Sequence, residues 1–260
     1  MDFFDLLQNH AAVFLLLLTR ITGIFIISPF FGSQNIPITM RVATAMTIAV
    51  VIFPVVDQHT IVETPASVLS YGLSVLSELF IGWLIGLVSY VALISISMAG
   101  KIMDLQVGYA MVQVMDPTSG QQNALIGSFL YNLAVIIFLV TDGHHFLFSG
   151  LVESFQMIPI TGLNLDTDIV DLMVDFTNGI FVSGMKVAIP VTFAILLTNV
   201  GLGILARTMP QLNIFVVGVP MHLVIGTFVL AMLIPFYVVF LDVLFNEMYG
   251  NITIALRAIQ

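Results

Sequence analysis

Cysteine is absent from all 260 residues. That excludes disulfides, thiol nucleophiles and cysteine-ligated clusters. Charge is almost as scarce, since Asp, Glu, Lys and Arg make up 8% of the chain against roughly 25% in a soluble domain. The Lys and Arg residues number six and are scattered, which leaves no basic patch for nucleic acid. No Ser-His-Asp grouping, phosphate-cradling Gly-rich loop or zinc signature is present, so no catalytic residue, cofactor or metal is assigned. What the chain has in abundance is apolar surface: 59% of residues are hydrophobic and the mean hydropathy is +1.12. In water that much exposed hydrocarbon drives aggregation, so the solvent is a bilayer. The expected class is an all-α polytopic membrane protein. The opening "MDFFDLLQNH" carries two Asp and no cation before the first apolar run, unlike a cleaved signal peptide, and is expected to be retained as helix.

A span needs about 20 apolar residues to cross about 30 Å of hydrocarbon. Six runs approach that length: 11–31, 42–56, 68–97, 124–140, 179–206 and 215–244. The third is too long for an upright crossing and must tilt, bend or leave the membrane plane. Arg41, Lys101 and Arg207 fall in the first, third and fifth connections, whereas the second and fourth are acidic. The positive-inside rule then puts the odd connections in the cytoplasm and both termini outside, with Arg257 in the tail opposing that assignment. In the fourth connection, 142–178, "DTDIVDLMVDF" sets Ile169, Leu172, Met173 and Phe176 opposite Asp168, Asp171 and Asp175. This is an amphipathic helix, capped by Asp168, which reads first as a solvated connector, with a protein-facing element as the other reading. No internal repeat or linker divides the chain, which is treated as one membrane domain over 1–260.

Pro190 and Pro235 lie inside the last two spans and predict bent helices. Gly82 and Gly86 form a GxxxG that Ser89, Ala92, Ser95 and Ala99 extend into a small-residue strip, suited to close helix approach within the chain or with a partner. Arg20, Glu78, Lys101, Lys186, Arg207 and Asp242 are ionisable groups near or in spans. A charge at that depth needs a partner charge, carbonyls or water. Glu78 and Lys186 lie deepest and are the candidates for an intramembrane ion pair, structural or functional. His144 and His145 are adjacent, point to different helix faces and make a poor chelate without further ligands.

The stretch "GYAMVQVMDPTSGQQ", 108–122, interrupts two apolar runs. In water, it and its upstream flank would expose Leu105, Val107, Tyr109, Met111, Val112, Val114 and Met115 together. Facing lipid, its backbone would go unpaired. Irregular backbone survives at membrane depth when buried in protein or lining an aqueous cavity. Met111 and Met115 supply conformable thioethers, and Gly108 and Gly120 permit unusual turns. Asp116-Pro117 marks a turn, and Gln106, Gln113, Gln121 and Gln122 are exchangeable hydrogen-bonding groups. The composition suits a plug or constriction, with an ordinary cytoplasmic connector as the other reading.

The run "LGILARTMPQLNIFVVGVP", 202–220, resembles the signature of the FliR family of flagellar type III export gate subunits: Arg207, then Pro210, Gln211, Leu212 and Asn213, then Gly218 and Pro220. Asp116-Pro117, the "FL…DGH" of Phe138, Leu139, Gly143 and His144, and the length also agree, Asp142 standing where the family often has Asn. The resemblance covers about 10–250, and virulence-system counterparts (the SctT family) share the architecture. It implies a non-enzymatic gate of bent helical hairpins, laid out like a fusion of the partners FliP and FliQ, held in a cone largely above the bilayer plane. FliP and FliQ homologues, components like FlhB and FlhA, and unfolded flagellar subunits are the implied partners, in the inner membrane at the flagellar basal body. The loop 103–122 would plug the channel, Met111 and Met115 sealing it beside methionines of FliP, with the acidic connection on the periplasmic side. Two rival readings are a secondary transporter with a re-entrant substrate loop, for which the matching broken helices of repeated halves are missing, and a membrane scaffold without pore contact.

Overall fold

The computed structural model describes residues 3–29, 31–32, 36–57, 67–110, 124–163, 168–211 and 213–260. It is built of helices, with no strand among the described residues: α1 (Phe3–Ile27), α2 (Ile38–Asp57), α3 (Val68–Val107), α4 (Leu125–Val140), α5 (Gly143–Met157), α6 (Asp168–Thr208) and α7 (Ile214–Arg257). Five of them are long and apolar enough to cross a membrane, or six crossings if α4 and α5 count as one broken span. Each expected run is helical over most of its length, the first stopping at Ile27 short of 31, and three helices extend well beyond the expected limits. α3 continues ten residues past 97 to Val107; its 40 residues at about 1.5 Å each reach about 60 Å. The amphipathic stretch after Asp168 is not a separate helix but the first turns of α6. α5 was not anticipated, because His, Ser, Glu and Gln dilute the hydropathy of its sequence although Leu147, Leu151 and Phe155 are buried on one face. Pro190 lies inside α6, and Pro220 and Pro235 inside α7.

The described residues pack as two compact units, one of Met1–Val91, Asp142–Phe176 and Phe245–Gln260, the other of Ala92–Thr141 and Thr177–Leu244. In the first unit the GxxxG of α3 packs against α1 of the same chain. A Cβ on Gly82 would collide with the Arg20 carbonyl and lie 3.1 Å from the Gly23 Cα; one on Gly23 would lie 2.5 Å from the Leu79 carbonyl oxygen. The two backbones therefore touch, which small residues permit and any side chain would prevent. Ile81, Leu84, Ile85 and Val88 flank this crossing and are almost fully buried. α1 also meets α2, with Phe14 and Phe53 edge to face at 5.8 Å. Several hydroxyls in the apolar helices turn back on their own backbone, as Thr22 does to the Leu18 carbonyl at 2.7 Å, which satisfies the donor within the helix.

That crossing corrects the expected ion pair. Glu78 does not pair with Lys186. Its carboxylate accepts the Arg20 Nε–H at 2.6 Å, both side chains fully buried, because Arg20 sits on the face of α1 that Gly23 brings against α3. The guanidinium also donates to Ser154 Oγ at 3.1 Å and to the Ile158 carbonyl at 3.2 Å, and lies 4.0 Å over the Phe155 ring. The other Glu78 oxygen accepts the Thr161 N–H at 3.1 Å, where Thr161 adopts φ 71°. One buried ionic cluster thus ties α1, α3, α5 and the turn after α5. Lys186 is exposed on α6, in the other unit.

In the second unit the backbones of α3 and α4 touch at Gly100 and Gly127. α6 approaches α3 where a Cβ on Gly184 would lie 3.0 Å from the Ser95 carbonyl oxygen. Tyr237 of α7 donates its hydroxyl to the Leu130 carbonyl at 2.9 Å.

Candidate functional site

Of the expected plug, Met111, Gln113, Met115, Asp116, Pro117 and Gly120, with Gln121 and Gln122, lie outside the described residues. The structure describes the two feet of this segment. Residues 103–107, expected in the loop, are instead the last turn and a half of α3, with Met103 and Val107 buried and Gln106 exposed. The helix ends at Gly108, whose φ of +98° glycine adopts without Cβ strain and whose N–H closes onto the Asp104 carbonyl at 3.1 Å. Tyr109 then shares a hydrogen bond of 3.1 Å with Thr227 of α7.

The other foot is tied to the first by Asp104. Its two carboxylate oxygens accept the N–H groups of Ile126 and Gly127, at 3.0 and 3.2 Å, in a buried setting. These are first-turn amides of α4 that no intrahelical carbonyl can satisfy, and an acceptor bearing negative charge suits the positive end of the helix dipole. The ordinary capping position, Ala124, makes no side-chain cap bond. A residue twenty positions upstream caps the helix in its place. Whatever path the intervening chain takes, it leaves and returns at one fixed base. Sequence reading missed Asp104, because its partners are backbone amides and carry no residue signature.

The family-signature residues divide between two places. Arg207 is in the last turn of α6, where a cation complements the carboxyl end of the helix dipole. Pro210 and Gln211 make the turn to α7, and the Asn213 carbonyl accepts the N–H groups of Val216 and Val217 that open that helix. Gly218 is buried where a Cβ would lie 3.4 Å from Leu202 Cδ1, and Pro220 is exposed. These residues build the tip of the α6–α7 hairpin. Gly143 and His144 open α5 in the other unit.

An apolar cavity of about 120 Å³ is walled by Met103, Leu130, Pro190, Ile234 and Tyr237, with Lys186 at its edge. Small-molecule sites run from roughly 300 Å³ upward, so this void does not fit a transported solute. Around it α6 and α7 expose Ile189, Phe193, Leu196, Phe228, Met232 and Phe236, surfaces that need lipid or protein cover.

Residues 11–248 match the family described as bacterial export proteins, family 1. The chain is 33% identical over 216 residues to the flagellar biosynthetic protein FliR of Bacillus subtilis (strain 168), 82% of each chain. To that of Pectobacterium carotovorum subsp. carotovorum it is 30% identical over 241 residues, 93% of this chain and 91% of the relative. To that of Escherichia coli (strain K12) it is 30% identical over 234 residues, 90% and 88%. With the Arg-to-Pro signature in place at the α6–α7 turn and similarity running nearly end to end, the chain belongs to the bacterial export proteins, family 1, alongside the flagellar FliR proteins.

Proposed function

We propose that this chain is a non-enzymatic gate subunit of the flagellar type III export apparatus, and that residues 108–122, after the end of α3, plug the channel through which unfolded flagellar subunits pass. Membership of the family over nearly the whole chain supports the export role. The observation that carries the plug is the paired base: Asp104 holds the start of α4 beside the end of α3, so the segment between them is presented from a fixed mount.

A gate of this kind has to stop ions yet pass a chain of any sequence. Thioether and aliphatic side chains exclude water when packed and form no directional bonds that would retain a passenger. Met111 and Met115 supply such groups, and the amides of Gln113, Gln121 and Gln122 exchange partners as the segment moves. The exposed apolar faces of α6 and α7 are the surfaces for FliP and FliQ homologues. FlhB- and FlhA-like components complete the assembly at the basal body, in the bacterial inner membrane.

The absence of cysteine supplies the test. Tyr109→Cys introduces a single thiol at the foot of the segment. With a bifunctional reagent it should crosslink to an export substrate stalled in the gate, whereas a thiol at exposed Leu69 should not. Equal labelling at both positions, or none at Tyr109→Cys, contradicts the channel assignment.

A further inference from the structure

We infer that Asp142, His144 and His145 form a binding site for one divalent transition-metal ion of the zinc, nickel and copper type. Adjacent histidines alone chelate poorly, since successive side chains on a helix diverge by about 100°. The missing third ligand is the Asp142 carboxylate, placed by the backbone. Asp142 ends the break before α5 with φ 56° and ψ 27°, a left-handed conformation that is uncommon outside glycine and enriched in Asp. An Asp at a helix start ordinarily spends its carboxylate on the second or third amide; here it makes no side-chain cap bond. It folds instead toward the histidines, its Oδ1 3.9 Å from His145 Nδ1. One ligand atom from each of the three side chains then lies within 4.8 Å of the other two.

A second observation comes from His144. Its Nδ1 is closed to solvent and has no hydrogen-bond partner among the described residues, a condition that costs free energy in a folded protein. A bound cation is one group that satisfies such a lone pair. Tetrahedral zinc with ligand bonds of about 2.0–2.1 Å sets its ligands roughly 3.4 Å apart. The three atoms need draw together by an ångström or so, a movement within reach of the exposed side chains of Asp142 and His145, at 70% and 67%. Two imidazoles and one carboxylate select borderline divalent ions; magnesium and calcium want oxygen donors. Water fills the fourth position, and the same exposure gives the ion its path in. Bound metal would hold the first turn of α5 and the left-handed Asp142 in place.

The test is a Zn2+ titration of the full chain in detergent against a chromophoric chelator, alongside Asp142→Asn, His145→Gln and the triple variant with His144→Ala. One Zn2+ per chain is expected, weakened about tenfold or more by either single substitution and unaffected by millimolar Mg2+. Co2+ in the wild type should give the visible absorption of a low-coordinate nitrogen-containing site, lost in His145→Gln. The two single variants alter exposed side chains, so their metal-free melting should match wild type and separate lost ligation from lost fold. Binding unchanged in Asp142→Asn and His145→Gln places the ion elsewhere, at His10, His59 or His222, and overturns the assignment. So does wild-type affinity no greater than that of the triple variant.

Discussion

Arg20→Ala should leave little folded protein. The substitution strands the Glu78 carboxylate at zero exposure with the Thr161 N–H as its remaining hydrogen-bond donor among the described residues, and removes the donors to Ser154 and the Ile158 carbonyl. Breaking one side of a buried ion pair costs about 3–5 kcal/mol, a large share of the 5–15 kcal/mol that holds a typical domain. Arg20→Lys should fall between wild type and Ala, since one ammonium cannot reproduce a planar fork that meets three partners and a ring. Replacing both charges, Arg20→Met with Glu78→Leu, should recover much of the loss, because no isolated charge remains. Yield of monodisperse protein in mild detergent and the inactivation temperature would order the variants: wild type, double replacement, Lys, Ala. If Arg20→Ala equals wild type while the double replacement fails, the pair is not the buried cluster described here.

Gly82→Ala should be nearly as damaging, though it adds one methyl group. That methyl falls on the Arg20 carbonyl of α1, and backbone cannot rotate away as a side chain can. α1 and α3 must part, and parting them also stretches the Arg20–Glu78 bond one turn away. Overpacking of this kind costs about 1–3 kcal/mol in ordinary cores, and the shared ion pair pushes the expectation to the upper end. Because both changes act on one crossing, Gly82→Ala combined with Arg20→Ala should cost less than the sum. Gly72→Ala is the control: nothing lies within 4 Å of its added Cβ, and helix propensity favours Ala by about 1 kcal/mol. A drop in inactivation temperature for Gly82→Ala with none for Gly72→Ala is the expected pattern. Equal responses would mean that α1 and α3 do not touch there.

How far the sequence could be read depends on what each feature rests on. Helix positions rest on hydropathy, a local property, and every expected run is helical over most of its length. Helix ends rest on packing. α3 runs on to Val107 because Met103 and Val107 continue its buried stripe. α6 begins at Asp168 because Asn178 and Gly179 cost a helix only about 1 kcal/mol, too little to separate the acidic turns from the apolar run. The signature at Arg207 to Pro220 was legible because the residues that shape the α6–α7 turn are contiguous. Glu78 illustrates the opposite case: an isolated charge in a span announces that it needs a partner but not which one. Arg20, 58 residues earlier, was visible as a candidate cation, and only the Gly23–Gly82 crossing selects it over Lys186. Asp104 was invisible for the reason given above, and at Asp142 the Asp-Gly step marks a turn without giving its left-handed geometry.

The gate account turns on the segment between Gly108 and Ala124. Its most direct test is the small-ion permeability of membranes carrying the assembled export gate in which the chain is shortened across Met111 to Asp116, with Asp104 and Gly108 left intact. The account predicts that the gate assembles to wild-type levels and leaks ions while no substrate is passing. A shortened gate that assembles normally and keeps an intact ion barrier contradicts it.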